Sequence, residues 1–160
     1  MPTDVLVVDY QNQQHAADMV ALMDEYSRHP MIHSKPLPDD IKQKLASDLS
    51  QVSGAFSVIC YVDDTPAGLT NCLQGFSTFK CQPLINIHDA MVSADFRGHG
   101  LTRKMFAKVE EVARERGCCK LTLEVLEKNE PARRAYQSIG FEGFALDPAQ
   151  GIAHFWEKVL

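Results

Sequence analysis

Apolar residues in the first half of the chain recur at the spacing of two amphipathic helices. Between residues 12 and 29 they return every three or four positions, which predicts a helix that Pro30 stops. A second apolar stripe over residues 41–49 predicts another helix, with Asp39 as its N-cap. The remaining apolar runs are short, and they predict strands over residues 5–8, 55–62 and 67–79, the last two joined by a hairpin turn.

The second half of the chain alternates strands with helices. Asn129 and Pro131 are typical of a helix start and Gly140 of a helix end, so a short helix is predicted between them. The elements are predicted, in chain order, as a strand over 84–94, a helix over 102–116, a strand over 121–126, the helix over 129–139 and closing strands over 141–146 and 152–159. This order predicts an α/β (α+β mixed) fold, in which a mixed sheet has helices on both faces.

The composition of the chain limits its function classes. Its 160 residues are 45% hydrophobic, which predicts a single domain over residues 1–160 with a sizeable core. The net charge of −5 argues against a nucleic-acid partner, and no apolar run has the length of a membrane helix. The five cysteines form no CxxC pair and follow no signal-peptide pattern, so we expect reduced thiols, a cytoplasmic location and no metal site.

Two glycines, Gly98 and Gly100, lie where the predicted strand over 84–94 turns into the helix over 102–116. Glycines at such a junction let the backbone approach a ligand, and the helix behind them directs its N–H groups towards an anion. The sequence fits neither the phosphate-loop pattern of nucleotide hydrolases nor the three-glycine dinucleotide pattern. It therefore predicts a phosphate site of another kind, with a plain tight turn before a helix as the alternative.

Two blocks of sequence carry a resemblance to a known family. They are Asp95-Phe96-Arg97-Gly98-His99-Gly100 and Asn129-Glu130-Pro131-Ala132-Arg133-Arg134-Ala135-Tyr136, the second followed by Ile139-Gly140-Phe141. At this separation they resemble the pyrophosphate loop and the late helix and strand of the GCN5-related N-acetyltransferase (GNAT) family. The resemblance covers most of the chain. Within the family, Ile87-His88-Asp89-Ala90-Met91-Val92 is similar to the diamine (spermidine/spermine, thialysine) acetyltransferase branch.

The resemblance implies both a fold and an activity. The fold would be a GNAT-like mixed, mostly antiparallel central sheet flanked by helices on both faces. The activity would be N-acetyl transfer from acetyl-CoA directly to a primary amine of a small molecule, such as a diamine or an amino acid derivative. Two alternatives stay open: acetylation of protein lysines or N-termini, and a non-catalytic acyl-CoA-binding module. By analogy with the family, the protein would be a homodimer.

The resemblance also assigns residues to acetyl-CoA. Backbone N–H groups of the glycine loop would hold the pyrophosphate, and the end of the strand over 84–94 would pair with the pantetheine arm. Thr102 departs from the family pattern, which usually has Gly or Ala there. The residues that the resemblance assigns to the cofactor are Ala90, Met91, Val92, Arg97, Gly98, His99, Gly100, Leu101, Thr102, Arg103, Asn129 and Arg133.

Two side chains are candidates for proton transfer. Tyr136 matches the family position that protonates the departing thiolate, and a phenol can perform that step. His88 stands where the diamine branch carries a glutamate, and imidazole is a suitable base near neutral pH. A packing tyrosine and a structural histidine are the alternatives. Strict strand alternation places His88 with Ala90 on one side, and Ile87 with Asp89 and Met91 on the other, unless a bulge intervenes.

The acceptor amine is expected to meet carboxylate and aromatic side chains. The segment over residues 25–38 and the strand end around residues 76–79 supply such groups, and a carboxylate or an aromatic ring can receive an ammonium ion. The candidate substrate residues are Glu25, Tyr26, Phe79 and Asp89.

Overall fold

The computed structural model describes residues 1–143, 147–151 and 153–160, and it divides into two compact units, Met1–Glu124 and Val125–Leu160. The first unit contains β1 (Thr3–Val7), α1 (Gln13–Arg28), α2 (Asp39–Ser50), β2 (Phe56–Val62), β3 (Thr65–Ser77), β4 (Gln82–Val92), a short 3₁₀ helix (Ala94–Phe96), α3 (Leu101–Glu115) and β5 (Leu121–Leu123). The second unit contains α4 (Glu130–Ile139) and a 3₁₀ helix (Pro148–Gln150).

The five strands of the first unit form one sheet in the order β1-β2-β3-β4-β5. The first three pairings are antiparallel, and only β4 with β5 is parallel. The structure thus confirms the predicted mixed, mostly antiparallel sheet. Asp63 and Asp64 both have positive φ at the β2–β3 turn, which suits the predicted tight hairpin.

Helices cover both faces of this sheet. Leu69 of β3 packs with Met19 and Leu22 of α1 in one buried cluster. The next residue, Thr70, points to the other face and contacts the Met105 sulfur of α3 at 3.8 Å. Because successive side chains of a strand alternate, α1 and α3 lie on opposite faces, as predicted. None of the helices in the described part of the chain has the length and apolar character that crossing a bilayer requires.

The structure corrects the prediction of the closing strands. Residues 153–159 adopt no strand, and Phe155 and Trp156 are exposed. The run over 141–146 is not a strand where it is described, and residues 144–146 and 152 lie outside the described residues. An apolar run becomes a strand only when another strand pairs with its backbone, and local pattern does not report that partner.

Two smaller predictions also differ from the structure. Pro38, not Asp39, is the N-cap of α2, and its carbonyl accepts from the Ile41 and Lys42 amides. Asp39 lies in the first turn, where a negative charge favours the helix dipole. Strand β5 ends at Leu123 instead of residue 126.

Asp24 of α1 ties the proline-rich segment before α2 to the helix pair. Its carboxylate accepts a hydrogen bond from the Leu37 amide at 2.8 Å and pairs with Arg28 at 3.0 Å and Lys42 at 3.2 Å. Burial alone would raise the pKa of the Asp24 carboxyl, but these three donors outweigh it and the pKa is lowered. The ionised form of Asp24 therefore stabilises the fold.

We expect Asp24→Asn to lower the melting temperature by about 2–4 °C at neutral pH, the shift that about 1 kcal/mol gives in a domain of this size. Because the folded pKa is depressed, this contribution is complete above the unfolded pKa, near 3.8, and is lost as pH falls through the folded value. Melting curves from pH 7 to pH 2 measure it. Asp40→Asn, at an exposed α2 residue, is the control. A difference in melting temperature between wild type and Asp24→Asn that is independent of pH would contradict the prediction.

Candidate active site

The end of β4 has an open edge. Pairing between β4 and β5 stops at Ile87 opposite Leu123, whereas β4 continues to Val92. Asn86 stabilises the last residue pairs between β4 and β5, because its side chain donates a hydrogen bond to the Thr122 hydroxyl at 2.9 Å. Beyond them, the backbone of residues 88–92 has no strand beside it on the β5 side within the first unit. Such an edge can pair with an extended ligand that carries amide groups.

A bulge interrupts β4 at His88. Ile87 lies opposite Cys72 and Asp89 lies opposite Asn71, so β4 has one residue more than β3 at this point. An extra residue reverses the alternation beyond it. The prediction that Ile87 and Asp89 share a face is therefore wrong: Asp89 contacts Asn71, which also reaches Met23 of α1. His88 is exposed and lies at the start of the open edge.

The glycine loop follows directly from this open edge. Gly98 and Gly100 have φ values of +81° and +72°, which residues other than glycine rarely adopt. A Cβ atom at either position would meet no atom of the described residues within 4 Å, apart from its chain neighbours, so the space in front of both is open. Gly100 is the N-cap of α3, and the first backbone bond of the helix runs from the Lys104 amide to the Gly100 carbonyl. The first turn therefore presents amides without acceptors inside the helix.

Basic residues accompany the loop. Arg97 donates through Nε to the Val92 carbonyl at 3.2 Å and so fastens the loop to the end of β4. His99 Nδ1 lies 3.2 Å from the Phe96 carbonyl. Thr102 and Arg103 belong to the first turn of α3. A glycine loop, a helix N-terminus and cations, placed beside an open strand edge, fit the diphosphate and the amide-bearing arm of coenzyme A.

The predicted substrate residues are only partly brought together. Glu25 of α1 accepts a hydrogen bond from the Ala94 amide at 3.1 Å, just beyond β4. Tyr26 packs against the buried cluster beneath α1. Phe79 is 99% exposed and lies in the β3–β4 turn. The part of β4 from Gln82 to Asp89, about 23 Å of strand, separates this turn from Asp89. The structure therefore does not place Phe79 beside Asp89.

The remaining predicted residues belong to the second unit. The Asn129 side chain caps α4 by accepting from the Ala132 amide at 3.3 Å. Arg133 donates to the Glu127 carbonyl at 3.1 Å. The Tyr136 ring lies 6.2 Å from the Phe141 ring, and burial raises the pKa of the Tyr136 phenol. Each residue has a local structural role, and their roles towards cofactor and substrate stay predictions.

Sequence reasoning missed three polar residues next to this site. Tyr10, Ser57 and Asn71 form a hydrogen-bonded line that ends on Asp89. Ser57 and Asn71 are buried within strands that are mostly apolar. A polar residue inside a mostly apolar strand was the available signal, because buried polar groups need partners.

Comparisons with known proteins agree with this geometry. A family model described as the acetyltransferase (GNAT) family matches residues 11–141. A thialysine N-epsilon-acetyltransferase of Caenorhabditis elegans is 25% identical over 127 residues, 79% of this chain and 77% of that protein. A streptothricin acetyltransferase of Streptomyces lavendulae is 40% identical over 78 residues, 48% of this chain and 41% of that protein. The structure of AAC(6')-Iy in complex with the bisubstrate analogue CoA-S-monomethyl-acetylneamine has a TM-score of 0.76 at 18% identity, with all of both chains covered.

Proposed function

Because the chain belongs to the acetyltransferase (GNAT) family, we propose that it moves the acetyl group of acetyl-CoA directly to a primary amine of a small, cationic molecule. Acetyl-CoA is the cofactor of the family, and it supplies the activated acyl group. The small molecule would be a diamine or an amino acid derivative. The observation that carries the proposal is the junction of the open β4 edge with the glycine loop and the start of α3.

The residues at this junction have separate tasks in the proposal. The Gly98–Gly100 loop and the first turn of α3 hold the diphosphate, and Arg97 keeps the loop against β4. The backbone of residues 90–92 aligns the pantetheine arm. Holding both reactants in line removes much of the entropic barrier to their reaction. From the second unit, Asn129 and Arg133 are proposed to contact the cofactor and Tyr136 to protonate the leaving thiolate.

The negative charge near the end of β4 supports a cationic acceptor. Asp89 lies at the bulge and Glu25 at the strand end, and α1 reaches both places through Met23 and Glu25. Within the described part of the chain, neither carboxylate forms a salt bridge with a basic side chain. An ammonium group of a diamine would provide the missing positive charge. The thialysine acetyltransferase among the relatives is named for an amine of this class.

A test of the function measures thiol release from acetyl-CoA with a panel of amines: diamines, amino acids with amino side chains, aminoglycosides, streptothricin and a lysine-containing peptide. We expect turnover with diamines or amino acid derivatives. Turnover with the peptide alone would replace the small-molecule proposal by protein acetylation. Tight binding of acetyl-CoA without turnover of any amine would favour a non-catalytic binding module.

His88 is proposed as the base that accepts the proton of the amine, directly or through water. Replacing His88 by glutamine is expected to lower kcat/KM for the amine about a hundredfold and to change its dependence on pH. The KM for acetyl-CoA should change little, since the ring is not part of the loop. His15→Gln is the control, because the His15 ring accepts from the Asp9 amide at the start of α1. An unchanged pH profile in His88→Gln would remove the base assignment.

The proposal also includes a single catalytic domain over residues 1–160, a cytoplasmic location and a homodimer. Analogy with the family and the composition of the chain support these three proposals. Light scattering of the purified protein at several concentrations tests the oligomeric state. A monomer at all concentrations would contradict the homodimer and leave the proposed reaction intact.

A further inference from the structure

A line of hydrogen bonds crosses the sheet and ends on Asp89. The Tyr10 hydroxyl lies 2.8 Å from the Ser57 Oγ, and the Ser57 hydroxyl donates to the Asn71 Oδ1 at 2.6 Å. Asn71 then donates through Nδ2 to the Asp89 Oδ2 at 3.0 Å. The line joins the turn between β1 and α1, the strands β2 and β3, and the bulge of β4.

This line has a single direction. A carboxylate accepts hydrogen bonds, so the Asn71 amide must present its NH₂ group to Asp89 and its oxygen to Ser57. Ser57 uses its only proton on that oxygen, so Tyr10 must be the donor to Ser57. Burial raises the pKa of Tyr10, so the phenol keeps the proton that this role requires. Each bond thus polarises the next one towards the carboxylate.

Burying the polar groups of this line costs desolvation free energy, which packing alone does not require. Ser57 is fully buried and Asn71 is 6% exposed, each within a mostly apolar strand. Apolar residues of similar size would fill the same space without the desolvation of an amide and a hydroxyl. The bulge at His88 brings Asp89 into reach of Asn71 at the point where the open edge of β4 begins.

We infer that Asn71, oriented by Ser57 and Tyr10, is a positioning residue that holds the Asp89 carboxylate in one orientation towards the acceptor amine. This inference rests on the proposed function for the identity of the group that Asp89 receives. Asn71 occupies Oδ2, which leaves Oδ1 of Asp89 for an ammonium group or for a water molecule that contacts it. The line therefore acts on the amine and not on acetyl-CoA.

The kinetic test is a double-mutant cycle between Asn71→Ala and Asp89→Ala. Asn71→Ala is expected to lower kcat/KM for the amine roughly tenfold to a hundredfold, with the KM for acetyl-CoA within about twofold of wild type. In the Asp89→Ala background the same substitution should change kcat/KM by less than about twofold, because Asn71 acts through Asp89. Effects that multiply independently in the cycle would overturn the inference.

Two further variants keep the test decisive if Asn71→Ala does not fold. Ser57→Ala and Tyr10→Phe each remove one hydroxyl upstream of Asn71, and both should lower kcat/KM for the amine, Ser57→Ala the more strongly. Thr70→Val is the matched control, since Thr70 is buried next to Asn71 but contacts Met105 on the other face. A loss in Thr70→Val as large as in Ser57→Ala would mean a general effect of strand packing and would overturn the inference.

A second readout does not depend on activity. Three-bond coupling constants measured by NMR report the χ1 rotamer of Asp89, and we expect one rotamer in wild type and averaging in Ser57→Ala and Asn71→Ala. A single unchanged rotamer in both variants would overturn the inference even in an active enzyme. If no amine reacts with the wild-type protein, the proposed function fails, and the rotamer measurement alone decides whether Asn71 positions Asp89.

Discussion

Replacing Gly100 by alanine is expected to weaken acetyl-CoA binding about tenfold to a hundredfold. Gly100 has a φ of +72° at the N-cap of α3, and a Cβ atom there would meet no other residue within 4 Å in the part of the chain that the structure describes, chain neighbours aside. It would therefore enter the space that the diphosphate is proposed to occupy. Each lost hydrogen bond between an amide and a charged phosphate costs about 1.5–3 kcal/mol, which corresponds to the expected range of affinity.

The same substitution at the other end of the helix separates binding from backbone strain. Gly117 follows α3 and has a φ of +68°, and an added Cβ would again meet none of the described residues within 4 Å except its chain neighbours. Both alanine variants should lose about 1 kcal/mol of unfolding free energy, because alanine is strained at positive φ. Calorimetric titration with acetyl-CoA should find weaker binding only in Gly100→Ala. Equal affinities in the two variants would mean that the loop does not hold the cofactor.

Local signals in the sequence were sufficient for most helices. The structure starts α3 at Leu101 and ends it at Glu115, each one residue from the predicted bounds of 102 and 116. The apolar periodicity that predicts the helix lies within α3, and the glycines that mark its ends lie directly beside it in the sequence. The α4 prediction succeeded for the same reason, since Asn129 and Gly140 mark its two ends.

The features that shape the site depend on residues far apart in the chain. The bulge at His88 exists only in the register between β3 and β4, and the open edge exists only because β5 ends at Leu123. The line to Asp89 begins with a contact between Tyr10 and Ser57, 47 positions apart. The pattern along one strand reports none of these pairings, and for this reason strict alternation wrongly placed Asp89 on the same face as Ile87.

The second large effect is expected in the second unit, where Tyr136→Phe should lower kcat by about two to three orders of magnitude. The phenol is proposed to give its proton to the departing thiolate. Burial raises the pKa of Tyr136, so the proton is present throughout the usual assay range and is lost only as pH rises through the elevated folded value. A wild-type rate that declines between pH 6 and pH 9 because of this group would contradict the assignment.

Phenylalanine at position 136 removes the hydroxyl and keeps the ring that lies 6.2 Å from Phe141, so the fold should be retained. The affinity for acetyl-CoA should be unchanged, because the proton is needed only when the thiolate leaves, and the loss should therefore appear in kcat. Tyr61→Phe is the matched control: its hydroxyl donates to Asp18 at 2.8 Å at the contact between β2 and α1. Single-turnover rates at saturating acetyl-CoA separate the chemical step from product release. If Tyr136→Phe and Tyr61→Phe kept the same single-turnover rate, Tyr136 would be a packing residue, and the proton would have to reach the thiolate from water or another side chain.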